Sequence, residues 1–319
     1  MGLVICPAEA SRIRAPRKGF ASGRFMRLIS AGEQTGKETD RNMPKRLTTA
    51  QQAAYERDGW VAPIDIFSAE EVAEIRAELA AAEAAHPDQL TAAGRNNAHY
   101  VLPVLDRISH DPRILDAVED VIGPDILVFH TTVWLKEAGA GSFVPWHQDA
   151  TYFGLEPHEH VTAWVALTPS NQKNGCVQVL PGSHRAGQRA HRDERDQRAM
   201  LSRGQTLSES LDEASAVDLL LAPGEVTFHH TLMVHRSAPN RSRETRVGIG
   251  ISYIPARMRH VTETRLSATL VRGEDRHGHF DPEPLPRVEG GPEEIEAHAL
   301  SLARFHRASE SIPEMARAH

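Results

Sequence analysis

Apolar residues fall into two textures along this chain. From Thr48 to about Gly123 they recur at helical spacing, and from Ile126 to Tyr253 they come in short runs rich in Val, Ile, Trp, Phe and Thr. In the first texture Thr48 with Gln51, and Ser68 with Glu71, have the spacing of a capping box, in which hydroxyl and N3 side chain each satisfy an orphan backbone N–H. The first box predicts a short helix ended by Gly59. The second predicts a helix to about Ala85 with Val72, Ile75 and Leu79 on its buried stripe. Asp111-Pro112 opens a third, with Ile114, Leu115, Val118, Val121 and Ile122 inward and Gly123 just past its end. A final helix is expected over 292–305, after a Pro- and Gly-rich connection at 281–292.

In the second texture the expected strands are 126–136, 144–149, 161–168, 176–180, 217–221, 225–235 and 246–254, the pattern of an all-β sandwich or barrel. Residues 185–216 form a polar insertion dense in Arg, Asp and Glu. It is too long for an ordinary hairpin loop, and loops of this kind tend to be lids. No internal repeat is evident.

Charge changes the picture at one end. Residues 1–46 carry ten Lys or Arg against four Asp or Glu, so the rest of the chain is markedly acidic within a total of −7. An acidic body argues against nucleic acid as a partner. The basic segment reads as a disordered leader or a mis-assigned start, with Met43 the true one; an Arg-rich transit peptide is the third option. The expected domain is 47–319. Two cysteines, Cys6 and Cys176, exclude a disulfide framework and a thiolate zinc site, which favours a reducing cytoplasmic setting. No apolar run approaches the roughly 18 residues of a membrane span, so no membrane partner is expected. A monomer or homodimer is expected.

The sharpest chemical feature is Trp146-His147-Gln148-Asp149. Side chains two apart on a strand share a face, so His147 and Asp149 are placed to chelate one ion. A second histidine would complete a facial triad of two imidazoles and one carboxylate, which leaves open positions on Fe(II). His229, His230 and His235 compete for that place, all on one expected strand. Farther on, Arg246, Gly248, Gly250 and Ser252 share one face of a regularly alternating segment, and Val247, Ile249, Ile251 and Tyr253 share the other. A hollow face headed by a guanidinium suits a dicarboxylate, because Arg offers a planar fork and the small residues leave space. Taken blandly, Asp149 and Arg246 would simply be ion-pair partners, and Trp146 and Trp164 core packing.

His147-x-Asp149, then His235, then Arg246 eleven residues on, together with Asn174-Gly175 and Leu180-Pro181-Gly182-Ser183-His184, resemble the phytanoyl-CoA dioxygenase family of Fe(II)/2-oxoglutarate oxygenases. The resemblance covers roughly residues 48–280. It implies a double-stranded β-helix, a cupin-like jelly roll, with the N-terminal helices packed on its larger sheet. It implies that His147, Asp149 and His235 bind iron, with Arg246 on the far carboxylate of 2-oxoglutarate and Ser237 assisting. Lys136, Gln148 and Trp164 are implied neighbours of the co-substrate. The implied reaction consumes O2 and 2-oxoglutarate, with ascorbate as an assay reductant, and releases succinate and carbon dioxide. Members that halogenate have Ala or Gly for the carboxylate; Asp149 therefore implies hydroxylation.

For the substrate, expected to be a small molecule with an anionic one as an option, Asn97, His99, Tyr100, Tyr152 and Phe153 are the candidate pocket residues. Two rivals are a cupin-type metal enzyme that does not use 2-oxoglutarate and a non-catalytic binding protein on the same barrel. Indifference of turnover to Arg246 would favour the first.

Overall fold

A computed structural model describes residues 44–194, 196–201 and 204–312. The leader up to Met43, and with it the question of the true start, lies outside them. The backbone N–H groups of Lys45, Arg46 and Leu47 all donate to the Asp120 carboxylate at 2.8 Å, fastening the start of the described chain.

Both capping boxes form. Thr48 caps α1 (Thr49–Asp58), which Gly59 ends at φ 83°, and Ser68 caps α2 (Ala69–Ala85). Two further helices follow, α3 (Pro103–Ser109), which the sequence pattern did not announce, and α4 (Pro112–Ile122), capped by the Asp111 carboxylate. Helix α5 (Ala150–Phe153) is a single turn, and α6 (Pro292–Glu310) runs past its expected end.

Eleven strands build two sheets. They are β1 (Trp60–Asp65), β2 (Ile126–Lys136), β3 (Val144–His147), β4 (Val161–Ala166), β5 (Val177–Val179), β6 (Val217–Leu219), β7 (Glu225–His230), β8 (His235–Ser237), β9 (Arg246–Pro255), β10 (Ser267–Arg272) and β11 (Asp281–Pro282). The large sheet has the order β1-β7-β4-β9-β2-β10-β11 and the small one β3-β8-β5-β6. Side chains from both sheets line one cavity between them. The other face of the large sheet, carrying Val133, Val165, Phe228, Ile249, Ile251 and Tyr253, packs with Val72, Ile75, Ile114 and Val118 of the helices in the main core. This is the expected jelly roll with helices on its larger sheet.

Two expected strands are corrected. The run 225–235 is not one strand: the chain leaves the large sheet at His230 and enters the small one at His235, so His229 and His235 belong to different sheets. The run 144–149 stops at His147. Asp149 has helical dihedrals (φ −60°, ψ −34°) and heads α5. His147 and Asp149 therefore converge through a strand-to-helix corner, not through strand alternation.

Candidate active site

Three ligand atoms, one each from His147, Asp149 and His235, lie within 4.8 Å of one another. Strands β3 and β8 pair His147 directly with His235, setting the imidazole rings 4.1 Å apart. Each Nδ1 is occupied by backbone: that of His147 by the carbonyls of Pro145 (2.9 Å) and His235 (3.1 Å), that of His235 by the carbonyl of Met233 (2.9 Å). A carbonyl accepts only, so Nδ1 carries the proton in both rings, and each Nε2 turns a lone pair to Asp149 Oδ1, at 3.4 and 3.8 Å. Burial and the neighbouring His147 push the His235 pKa down to about 3, keeping that ring neutral. Although burial opposes its ionisation, the Asp149 carboxyl is held well below its usual range. Two imidazoles whose Nδ1 is held by backbone carbonyls, and one carboxylate, fit a divalent first-row cation such as Fe(II).

Thr162 of β4 donates to the other carboxylate oxygen, Oδ2, at 3.0 Å. His229 reaches within 3.7 Å of that same oxygen, too far for a hydrogen bond, and neither of its buried nitrogens has a hydrogen-bond partner. His230, on the opposite face of β7, stacks toward His184 and Tyr55, away from Asp149.

Arg246 lies at the other end of the same cavity. It is 2% exposed, and its NH1 donates to the carbonyl of Gly175 and, at 3.1 Å, to Ser237 Oγ. Its Nε is buried without a partner, and its guanidinium sits 5.1 Å over the Trp164 ring. Among the described residues no carboxylate pairs with it, so Asp149 is not its partner. Gly175 is required here: its φ is 71°, and a Cβ would meet the Ala238 carbonyl at 2.0 Å.

Lys136 faces Arg246 across the β2–β9 ladder. It is fully buried, and its Nζ donates to Ser237 Oγ (2.6 Å) and to the carbonyls of Ser237 (3.0 Å) and Ala238 (2.6 Å). Burial and the adjacent Arg246 push its pKa down to about 6. Burial lowers Arg246 to about 10. A buried guanidinium beside a buried amine that burial drives toward neutrality, with only neutral acceptors around both, marks an anion site.

The cavity is about 310 Å³. Of the residues expected in it, His147, Asp149, His235, Arg246, Ser237, Trp164, Tyr152 and Phe153 line its wall. Lys136 stands behind Arg246. Gln148 points away: its Nε2 donates to the carbonyls of Gly187 and Leu232, and its Oε1 accepts from the Arg189 N–H. Asn97, His99 and Tyr100 are also not brought to the wall. Asn97 bonds Thr131 and Ser301, while His99 and Tyr100 both hold the Glu283 carboxylate, at 2.9 and 2.7 Å. They tie β2, β11 and α6 together from behind. The neighbouring Asn96 reaches the cavity instead, as do His130, Thr132, Trp134 and His229, none of which the local sequence singled out as pocket wall.

The glycines of β9 serve differently from expectation. A Cβ on Gly248 would meet the Trp164 ring at 2.2 Å, and one on Gly250 would meet Trp134 Nε1 at 3.0 Å. They leave room for two indoles, and the indoles form the wall. The insertion folds as a small hairpin, His191–Asp193 against Gln205–Leu207, and supplies Met200, Leu201 and Gln205 to the cavity.

Residues 55–248 match the protein family described as Phytanoyl-CoA dioxygenase (PhyH). The chain belongs to the phytanoyl-CoA dioxygenase family. Peroxisomal phytanoyl-CoA dioxygenase of Homo sapiens is 30% identical over 149 residues, 46% of this chain and 44% of that protein, so the match spans less than half of that relative. A probable alpha-ketoglutarate-dependent hypophosphite dioxygenase of Stutzerimonas stutzeri is 28% identical over 225 residues, 65% of this chain and 78% of that one. Among solved structures, the apo form of the non-heme monooxygenase ThoJ superposes with a TM-score of 0.73 at 33% identity, covering 82% of this chain and 98% of that one. The family match runs from Tyr55 in α1 through Gly248 in β9 and so takes in all three clustered ligands and Arg246.

Proposed function

We propose that this protein is an Fe(II)- and 2-oxoglutarate-dependent dioxygenase that hydroxylates a small molecule, with His147, Asp149 and His235 as the iron ligands. The observation that carries the reading is a triad with fixed tautomers sharing one cavity with a buried guanidinium that has no carboxylate partner among the described residues. Arg246 takes the far carboxylate of 2-oxoglutarate on the side-on fork of its unpartnered Nε and its NH2, while NH1 stays on Gly175 and Ser237 and Trp164 lies beneath. Lys136 stands behind that pair, gains charge more readily once the anion is bound, and reaches the co-substrate only through Ser237.

Fe(II) bound here supplies the coordination positions and oxidising power that couple decarboxylation of 2-oxoglutarate to insertion of oxygen into a C–H bond. In balance, 2-oxoglutarate, O2 and the substrate become succinate, CO2 and the hydroxylated product. The chain's own share is positioning and exclusion of water. Thr162 fixes the free oxygen of Asp149, the two indoles wall the co-substrate end, and the insertion roofs the cavity. The Asp149 carboxylate fills the place a halide would need, which supports hydroxylation.

A free buried Cys176 and a ferrous site suit a reducing compartment such as the cytoplasm. Among the described residues no helix is long and apolar enough to cross a membrane. Succinate formation with Fe(II), ascorbate and 2-oxoglutarate, with and without a metabolite panel, tests the proposal. Succinate above a metal-free control supports it; none with any metabolite overturns it in favour of a binding protein or an enzyme independent of 2-oxoglutarate.

A further inference from the structure

The reaction above leaves unassigned the stretch of cavity farthest from Arg246. On β9, Ser252 lies six residues from Arg246, roughly 20 Å at about 3.3 Å per residue. Ser252 pairs with His130 of β2 on one side and Thr162 of β4 on the other, so these three side chains stand in one row across the cavity face. Thr162 holds Asp149, and His130 stands two strands away, roughly 10 Å at about 4.8 Å per strand. The cavity thus has the co-substrate's guanidinium at one end and, in one row toward the other, Thr162 with the triad's Asp149 on one side and His130 across from it.

His130 is a buried polar group packed against two phenylalanine rings, with His99, His160, His306 and Asp149 within electrostatic reach. It is 4% exposed, with Phe153 and Phe305 at ring distances of 5.4 and 5.0 Å. Its Nδ1 is sealed from solvent without a hydrogen-bond partner. A buried N–H with no acceptor is costlier than a buried lone pair, so the proton belongs on Nε2, the nitrogen left to meet the cavity. Burial first, and nearby histidines second, lower its pKa to about 3, so the ring is a neutral donor. Around it the wall continues as Tyr152, Phe153, Trp134 and Thr132. Arg236, a cation at the cavity, is already engaged by Glu213 at 2.6 Å and Gln178 at 2.7 Å.

Resting on the oxygenase reading, we propose that His130 anchors the primary substrate by donating Nε2–H to a carbonyl, ether or hydroxyl oxygen. The substrate is a neutral molecule whose ring-bearing apolar body lies against Phe153, Tyr152 and Trp134. The carbon presented to the triad lies at the opposite end of the molecule from that oxygen.

The test uses the full chain loaded with Mn(II) and 2-oxoglutarate, which does not turn over, and two probes of similar shape: acetophenone, with one carbonyl acceptor, and ethylbenzene, with none. A net hydrogen bond of ~1 kcal/mol gives the wild type about a fivefold tighter dissociation constant for acetophenone. His130→Phe erases that preference, and His130→Gln, which keeps a donor, retains it. Equal binding of the two probes by the wild type, or a preference that survives in His130→Phe, overturns the proposal. Should a variant not fold, the wild type decides alone: the His130 Nε2–H resonance shifts with acetophenone and not with ethylbenzene, and a resonance that stays still overturns the anchor. Wild-type succinate formation across the metabolite panel reports separately on the oxygenase reading. Its absence beside an intact acetophenone preference removes the reaction and leaves the anchor standing.

Discussion

Lys136 and Arg246 face each other across the β2–β9 ladder, and both donate to one hydroxyl, Ser237 Oγ, at 2.6 and 3.1 Å. Ser237 Oγ in turn donates to the Gly175 carbonyl at 2.6 Å, which Arg246 also contacts. The guanidinium and the amine are therefore held at fixed positions by shared neutral acceptors, and each disfavours charge on the other until an anion arrives.

Removing the guanidinium should separate co-substrate from metal. Arg246→Ala is expected to raise the apparent KM for 2-oxoglutarate by at least tenfold, while the equilibrium affinity for Fe(II) changes little, because no triad atom contacts Arg246. Steady-state kinetics beside metal titration read the two effects. An unchanged KM would remove Arg246 from the proposed role.

Lys136 has a pH signature. Its pKa is about 6 in the fold against 10.5 for an ordinary lysine. The unfolded chain therefore binds more protons than the native one between those values, so stability rises with pH across that window and levels off on either side. Lys136→Met should flatten this slope. It also strands the carbonyls of Ser237 and Ala238, costing about 1–3 kcal/mol in denaturant unfolding at pH 9, where the wild-type penalty has largely gone.

Thr162→Val keeps the shape of the side chain and removes the donor to Asp149 Oδ2. Groups that orient metal ligands typically contribute 10–100-fold in affinity. A loss of that order in Fe(II) or Mn(II) binding is expected, with the 2-oxoglutarate KM at saturating metal nearly unchanged.

The two β9 glycines should rank by clearance. Gly248→Ala drives a methyl to 2.2 Å from Trp164 and should displace that indole from beneath Arg246, costing about 1–3 kcal/mol of stability and weakening 2-oxoglutarate binding. Gly250→Ala, at 3.0 Å from Trp134, should be milder. Thermal midpoints and tryptophan fluorescence measure both. Equal effects at the two positions would contradict the packing account.

What the sequence revealed was mostly local. The helix starts at Thr48, Ser68 and Asp111 are encoded within four residues, and the reading matched the structure there. Strand β9 was legible because its alternation is unbroken. The crossing between sheets at 231–234 was not, since Thr-Leu-Met-Val offers no Gly or Pro to mark a break and continues the apolar run. Strand β1 hid behind Pro63, which an edge strand tolerates at its bulge. His130 and His229 reach the cavity only through pairings with residues far along the chain, such as Ser252 and Thr162. The β9 glycines were recognised as a hollow face, yet what fills the hollow depends on Trp164 and Trp134, placed by neighbouring strands.

Gln148, between two of the clustered ligands, grips Gly187 and Arg189, and its backbone N–H donates to His191 at 3.0 Å, while Phe143 just before β3 bonds Arg198 and Met200. The insertion is thus bolted to both ends of the strand that carries His147. Grafting a foreign loop to retarget such an enzyme would have to preserve the stem at 187–191; otherwise a change meant for selectivity would loosen the ligand corner and register as lost metal.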